Sequence, residues 1–299
     1  MNRPVLDARA HPVLEIRAVR RLYRRGGLFT GSMFPAVDGV TLTLGAKPQV
    51  FSVVGESGSG KTTLARMVLR LVEPSEGEIR LDGRPLTGKA RERIGDVEFR
   101  RLVQPIFQNP FEAFSAYLPV DIYLTRTALN LRIATTMSAA RDAADVALRT
   151  VGLGFDRIRG KYIRQFSGGE LQRISIARAL VPNPKLIVAD EPVSMVDASL
   201  RTNIVNLFRK IRDERGVSFV YITHDLSTAY YLSDQVTIMN AGRVIEEGAP
   251  QDILANPRET YTRDLMAAIP RLGERWPELD AIDRAAGRSR RPVMLPTGT

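Results

Sequence analysis

The residues best equipped for chemistry sit in one short string. Gly55-Glu56-Ser57-Gly58-Ser59-Gly60-Lys61-Thr62 fits the pattern G-x-x-x-x-G-K-[ST] at every fixed position. Its three glycines let the backbone turn tightly and aim successive N–H groups at one anion. The helix expected to begin at Lys61 and run through Thr63 turns its positive end toward the same anion. Lys61 adds a mobile point charge for the outer phosphates of a nucleotide, and the Thr62 hydroxyl is a hard oxygen ligand for Mg²⁺. All of Gly55 to Thr63 are therefore candidate phosphate contacts.

Two further strings carry complementary chemistry. Leu186-Ile-Val-Ala-Asp190-Glu191-Pro192 is an apolar run ending in two carboxylates. In a parallel sheet, ligands collect at the carboxyl ends of the strands. Asp190 is then placed to hold Mg²⁺, directly or through water, and Glu191 to act as general base or to orient an attacking water. Phe166-Ser167-Gly168-Gly169-Glu170 opens an amphipathic helix with Leu171, Ile174, Ala177 and Leu180 on one face. Its backbone donors make a second anion site. One nucleotide cannot easily use both sites if they lie far apart in one chain.

The elements needed to position these strings can be read from periodicity. Residues 13–19 alternate weakly and 40–44 more clearly, as strands do, and 50–54 is a short apolar run of the fully buried kind. Residues 61–71 show helical spacing at Leu64, Met67, Val68 and Leu71, and a strand follows at about 78–81. Between about 109 and 179 alanine and leucine become frequent and β-branched runs vanish. This reads as a helical insertion, with Ala143, Val146, Ala147 and Thr150 at helical spacing within 138–151. Strands are expected at 186–189 and 218–223, a helix at 198–212, and a closing hairpin at 236–239 and 243–245. Beyond about 255 a short helix and a Pro/Arg-rich tail are expected, with 287–299 loosely ordered. Strands alternating with helices imply an α/β protein with a largely parallel sheet.

Composition narrows the field. The 299 residues are 44% hydrophobic and 25% charged, ordinary usage for a globular chain with a substantial core. Cysteine is absent and only His11 and His224 are histidine, which rules out disulfides, thiol catalysis, iron–sulfur clusters and multi-histidine metal sites. No apolar run reaches the length of about 18 residues needed to span a bilayer. Residues 1–12 show early arginine but no apolar stretch, so no secretory leader is expected. The formal net charge is +10. Arginines cluster at Arg17, Arg20, Arg21, Arg24 and Arg25, and again at Arg284, Arg288, Arg290 and Arg291. Such clusters can meet nucleic acid, anionic lipid or an acidic partner, or can simply be solvated charge.

Taken together, the three strings resemble the nucleotide-binding subunits of ABC transporters, over about residues 13–270. The resemblance implies a P-loop ATPase fold with an amino-terminal antiparallel β subdomain, a mainly parallel core sheet and an inserted helical subdomain. The cassette would span 10–255, its helical part about 109–180, and 256–299 would form a carboxy-terminal extension. It also implies ATP and Mg²⁺ as cofactors. The Ser167-Gly168-Gly169 turn of one subunit would close on ATP held by the phosphate loop of another. Gln108, in Phe107-Gln108-Asn109-Pro110, is similar to the glutamine that contacts Mg²⁺ and the attacking water. Asp197, in Ser194-Met-Val-Asp197, is similar to the aspartate at the dimer seam. His224, in Tyr221-Ile-Thr-His224-Asp225, is similar to the histidine that contacts the γ-phosphate. Tyr23 is the candidate for stacking on adenine.

The resemblance is narrower than the superfamily. Asp190-Glu-Pro-Val-Ser-Met-Val-Asp197, His224-Asp-Leu-Ser-Thr-Ala-Tyr-Tyr231 and Asn256-Pro-Arg-Glu-Thr-Tyr261-Thr-Arg263 resemble the oligopeptide/dipeptide importer branch, which also serves nickel and oligosaccharides. Glu170 stands where the branch usually has Gln, Thr260 where it has Pro and Glu259 where it has His. Residues 111–118 depart from its usual Ser-Leu-Asn-Pro pattern. The partners implied are two transmembrane permease subunits, a second ATPase subunit of the same or a related sequence and, indirectly, an extracytoplasmic solute-binding protein. No nucleic acid is expected. The location implied is the cytoplasmic face of the membrane. The alternatives are oligosaccharide uptake by the same branch and a soluble ATPase acting on ribosomes or nucleic acid.

Overall fold

A computed structural model describes residues 11–25, 32–89 and 92–267. The chain begins with β1 (Leu14–Arg25), β2 (Ser32–Leu44), β3 (Val50–Val54), α1 (Lys61–Val68), β4 (Glu76–Leu81) and β5 (Arg84–Pro85). Next come α2 (Asp96–Leu102), β6 (Val103–Ile106), α3 (Val120–Asn130), α4 (Met137–Thr150), α5 (Phe155–Ile158) and α6 (Gly168–Leu180). The last part holds β7 (Leu186–Asp190), α7 (Ala198–Arg215), β8 (Ser218–Thr223), α8 (Leu226–Leu232), β9 (Gln235–Asn240), β10 (Arg243–Gly248), α9 (Pro250–Ala255) and α10 (Thr260–Ala267).

The strands form two sheets. One is antiparallel in the order β2-β1-β4-β5, and the other runs β10-β9-β3-β8-β7-β6. In the second, β9, β3, β8, β7 and β6 pair in parallel and only β10 pairs antiparallel. Every residue of β3 and β8 is buried, as expected of largely apolar strands covered on both faces. The α/β expectation holds, with an antiparallel subdomain beside a mostly parallel sheet.

Some elements differ from the sequence reading. β1 and β2 are longer than the alternation suggested; the distal half of β1 carries arginines and pairs with the solvent-exposed start of β2. There Arg17 pairs with Glu15 and Glu78, and Arg20 with Asp38 and Glu76. Arg21 donates to the Glu73 carbonyl. Arg17 and Arg20 of the amino-terminal cluster are therefore paired with acids of their own fold; the second cluster lies outside the described residues, as does 287–299. α1 stops at Val68, and Leu71 is exposed rather than part of its apolar face.

In the helical stretch, α4 starts from Thr136, whose side chain accepts from Ala139 N–H. It buries Ala140, Ala144, Ala147 and Leu148, while Val146 stays 54% exposed. The core face is thus rotated from the one expected. α6 buries Leu171, Ile174, Ala177 and Leu180, as expected. α3, α4 and α6 share one core with β7 and β8, through Leu124, Ala144, Leu148, Ile174, Ile187 and Phe219. Among the described residues no helix is long and apolar enough to cross a membrane.

Candidate functional site

β3 delivers the chain straight into the glycine string, and α1 leaves it. Gly60 caps α1 at φ 104°, in the left-handed region, and a Cβ there would lie 2.3 Å from the Ala36 carbonyl oxygen. A Cβ on Gly55 would lie 2.2 Å from the Met239 carbonyl oxygen. Both positions accept only glycine, because β2 and the end of β9 press against the loop. The turn between β9 and β10 fastens it further: Gly242 N–H donates to Ser59 O at 3.0 Å.

Lys61 is buried beneath the loop. Its Nζ donates to Gly55 O at 2.6 Å, Glu56 O at 2.6 Å and Ser59 Oγ at 3.3 Å. Burial pushes the ammonium below its ordinary value, opposed by the carboxylates of Glu191, Asp190 and Glu56.

β7 and β8 bring up the other side. Asp190 ends β7, and its Oδ1 accepts from Thr62 Oγ1 at 3.4 Å. Two hard oxygen donors thus converge from opposite walls. That set suits Mg²⁺, which takes one or two protein oxygens and fills the rest of its shell with phosphate and water. Among the described residues no cluster of three His, Asp or Glu gathers for a metal.

Burial pushes the Asp190 carboxyl up, and the charge of Glu191 adds to this, against the Thr62 hydrogen bond and Lys61. A folded-state value raised above the unfolded one means that ionising Asp190 destabilises the fold. The penalty is absent below the unfolded value, grows as pH rises toward the folded value and stays constant above it. Asp190→Asn is therefore expected to raise Tm at neutral pH by about 2–4 °C, roughly 1 kcal/mol for a chain of this size, while replacing the charged carboxylate ligand by a neutral amide oxygen. Thermal unfolding at pH 7 and near pH 4 checks this; the difference should shrink at the lower pH.

Glu191 follows Asp190 with φ 44°, left-handed for a residue with a side chain. Such strain is held by the surroundings, typically at functional sites. Here its N–H donates to Ile222 O at 2.9 Å, and its carbonyl accepts from Ser194 N–H at 3.2 Å and Ser194 Oγ at 2.9 Å. The turn aims the carboxylate away from the strand and toward the cleft. Oε1 lies 3.0 Å from His224 Nδ1, and Oε2 accepts from Gln108 Nε2 at 3.3 Å. Gln108 arrives just after β6, and His224 just after β8.

The result is one cleft of about 710 Å³ whose lining includes Lys61, Thr62, Gln108, Asp190, Glu191 and His224. Gly58, Gly60, Glu56, Ser57 and Thr63 line it too. Tyr23 does not. It sits on β1 opposite Phe34 with the Arg21 guanidinium 4.8 Å from its ring centroid.

Ser167, Gly168 and Gly169 are not brought into this cleft. Ser167 is exposed at the start of α6, and its Oγ accepts from Glu170 N–H while Glu170 Oε2 accepts from Ser167 N–H. This capping box explains how Glu stands where Gln was expected: its carboxylate closes the helix end and pairs with Arg157. A Cβ on Gly169 would lie 2.8 Å from Leu200 Cδ1 of α7, so a side chain there would require Leu200 to shift. A Cβ on Gly168 would lie 3.8 Å from the Met195 carbonyl oxygen, which places the turn beside the loop carrying Met195 and Asp197. Asp197 leads into α7 without a side-chain capping bond.

Two contributors escaped the motif search. Gln172 on α6, fully buried, donates to the Pro192 carbonyl at 2.8 Å and so ties the Ser-Gly-Gly helix to the Glu191 turn. Ala36 lines the cleft from β2. Gln172 lies off the apolar face of Leu171, Ile174, Ala177 and Leu180, so its spacing gave no signal, and Ala36 has none either.

Comparison with known proteins agrees with this geometry. The profile of the ABC transporter family matches residues 37–194. A "Putative peptide import ATP-binding protein" of Brucella ovis is 39% identical over 260 residues, covering 87% of this chain and 79% of that protein. The oligopeptide transport ATP-binding protein AppF of Bacillus subtilis is 35% identical over 266 residues, covering 88% and 80%. Among solved structures, the dimeric post-hydrolysis state of the ATP-binding cassette MJ0796 bound to ADP and Pi superposes with a TM-score of 0.67 at 26% identity. It covers 79% of this chain and 98% of that one.

Proposed function

The chain belongs to the ABC transporter family, and from that premise we propose that it powers uptake of peptides through separate transmembrane subunits. It is an ABC ATPase, and its relatives are peptide import subunits. The observation that carries the reading is the convergence of Lys61, Thr62, Gln108, Asp190, Glu191 and His224 on one cleft. Oligosaccharide uptake and action on ribosomes or nucleic acid are not favoured. The relatives carry peptide names, and Arg17 and Arg20 are engaged by acids of their own fold.

In this reading the loop Gly55 to Thr63 holds the triphosphate through Lys61 and through loop N–H groups other than those of Glu56 and Ser59, which bond within the protein, and Tyr23 stacks on adenine. Thr62 and Asp190, with Gln108, would hold Mg²⁺, which would neutralise charge on the transferred phosphate. Glu191 takes the proton of the attacking water, held in aim by Gln108 and His224. His224 also reaches the γ-phosphate. The Ser167–Gly169 donors cover that phosphate in a second nucleotide-binding chain, with Asp197 at the seam. That chain is another copy or a related subunit. The cassette of 10–255 with its helical part at 109–180 is extended by 256–299, and the whole is peripheral to the cytoplasmic face of the membrane.

A groove of about 620 Å³ lies between the core and the helical part, lined by Arg70, Asp96, Phe99, Phe107, Asn130 and Arg178. Phe107 adjoins Gln108, so a permease element seated there touches the chain one residue from Glu191's partner. Exposed Phe111 and Tyr117 extend apolar surface beyond Gln108. The test is reconstitution of the chain in vesicles with its permease pair and binding protein. ATP turnover is expected to rise with added peptides; stimulation by oligosaccharides alone, or by RNA in the absence of membrane subunits, contradicts the proposal.

A further inference from the structure

The carboxy-terminal helix touches the phosphate loop. Tyr261, in the first turn of α10, accepts a hydrogen bond through its hydroxyl from the Glu56 backbone N–H at 2.9 Å. One turn later Leu265 lines the nucleotide cleft. Tyr261, Leu265 and Met266 pack on the apolar cluster of Val54, Leu226, Ile238 and Ile253. Val54 is the residue immediately before Gly55. Side chains of α10 therefore rest on the last residue of β3 and on the first peptide of the loop.

The helix is pinned in turn by β10. The largely buried Glu246 carboxylate accepts the N–H groups of Arg258 at 3.0 Å and Glu259 at 3.4 Å, at the entry to α10. Burial pushes this carboxyl up, but the N–H donors and the Arg258 charge outweigh it and hold it below the ordinary carboxylate value. An ionised carboxylate at that end complements the helix dipole.

Glu56 is consequently gripped at both backbone groups. Its N–H is taken by Tyr261, and its carbonyl accepts from Lys61 Nζ at 2.6 Å and Ser59 N–H at 3.2 Å. Moving Tyr261 releases the peptide that shapes one side of the Lys61 cradle.

We propose that Tyr261 is a positioning residue of the nucleotide site: its hydroxyl fixes the first peptide of the phosphate loop, so that docking of α10 on Glu246 sets the affinity for ATP. This rests on the ATPase reading and adds to it a route by which the segment beyond residue 255 governs nucleotide binding.

Tyr261→Phe keeps the ring and removes only the acceptor. The Kd for ATP and the ATP concentration giving half-maximal hydrolysis are expected to rise about 3–10-fold, the worth of one neutral hydrogen bond. The maximal rate should change less than about twofold, and Tm should stay at the wild-type value. If Tyr261 served only by packing its ring, the Phe variant would bind ATP as wild type does, and that result overturns the proposal. Glu246→Gln, which weakens the anchor, should raise Kd in the same sense, and the double variant should be no worse than Tyr261→Phe alone. Losses that simply add overturn the link between docking and affinity. A wild-type chain that binds no ATP overturns the ATPase reading itself; a wild type that binds and a Phe variant that binds equally well overturn this inference alone.

Discussion

Glu191→Gln is expected to lower ATP turnover by about 10²–10⁴-fold, the span contributed by a positioned general base, with little change in ATP affinity. Gln is close to Glu in shape and can occupy the same left-handed turn, because the constraints there are on its backbone: the N–H to Ile222 and the carbonyl from Ser194. What it loses is the ability to take a proton. It also alters the pairing with Gln108 and His224, which presently meet two carboxylate oxygens. The Gln variant should therefore hold ATP in the closed, dimeric form rather than release it. Steady-state hydrolysis measured beside equilibrium nucleotide binding checks both halves. Turnover within a few-fold of wild type would remove Glu191 from the role of base.

Lys61→Ala should act one step earlier, raising the Kd for ATP by about 10²–10⁴-fold through loss of two charge-assisted contacts of about 1.5–3 kcal/mol each. The fold should survive, since the ammonium is desolvated in its cradle and removing a buried cation relieves that penalty. Equilibrium binding of ATP together with thermal unfolding separates the two effects. A variant with normal Tm and normal affinity would contradict the cradle; a variant that fails to fold would contradict the claim that Lys61 serves the ligand rather than the structure.

Much of this site was legible because its parts are local. The glycine string, the two acids after an apolar run and the Ser-Gly-Gly turn each depend on neighbours in sequence, and the sheet brings their ends together by topology alone. The elements that were missed depend on distant partners. β6 contains Pro105, which argues against a strand; it survives because β6 is the last strand of its sheet and pairs only with β7. α4 is alanine-rich on more than one side, so the sequence spacing alone did not single out its buried face; contact with the rest of the helical core does. The Gln172–Pro192 and Tyr261–Glu56 contacts join residues 20 and 205 positions apart, beyond any spacing rule. Ion pairing likewise hid in the sequence, where Arg20 looked available to an acidic partner and is instead held by Asp38 at 2.7 Å.

The claim that everything else leans on is that each terminal phosphate is held by two chains at once. The structure of the Glu191→Gln chain with Mg²⁺ and ATP, within its working assembly, tests it most directly. The triphosphate should lie in the cradle of Gly55 to Thr63 against Lys61, with the Ser167–Gly169 turn of a second nucleotide-binding chain over the γ-phosphate. A cradle without phosphate, or a γ-phosphate covered by the same chain's Ser167–Gly169 turn, would contradict the account.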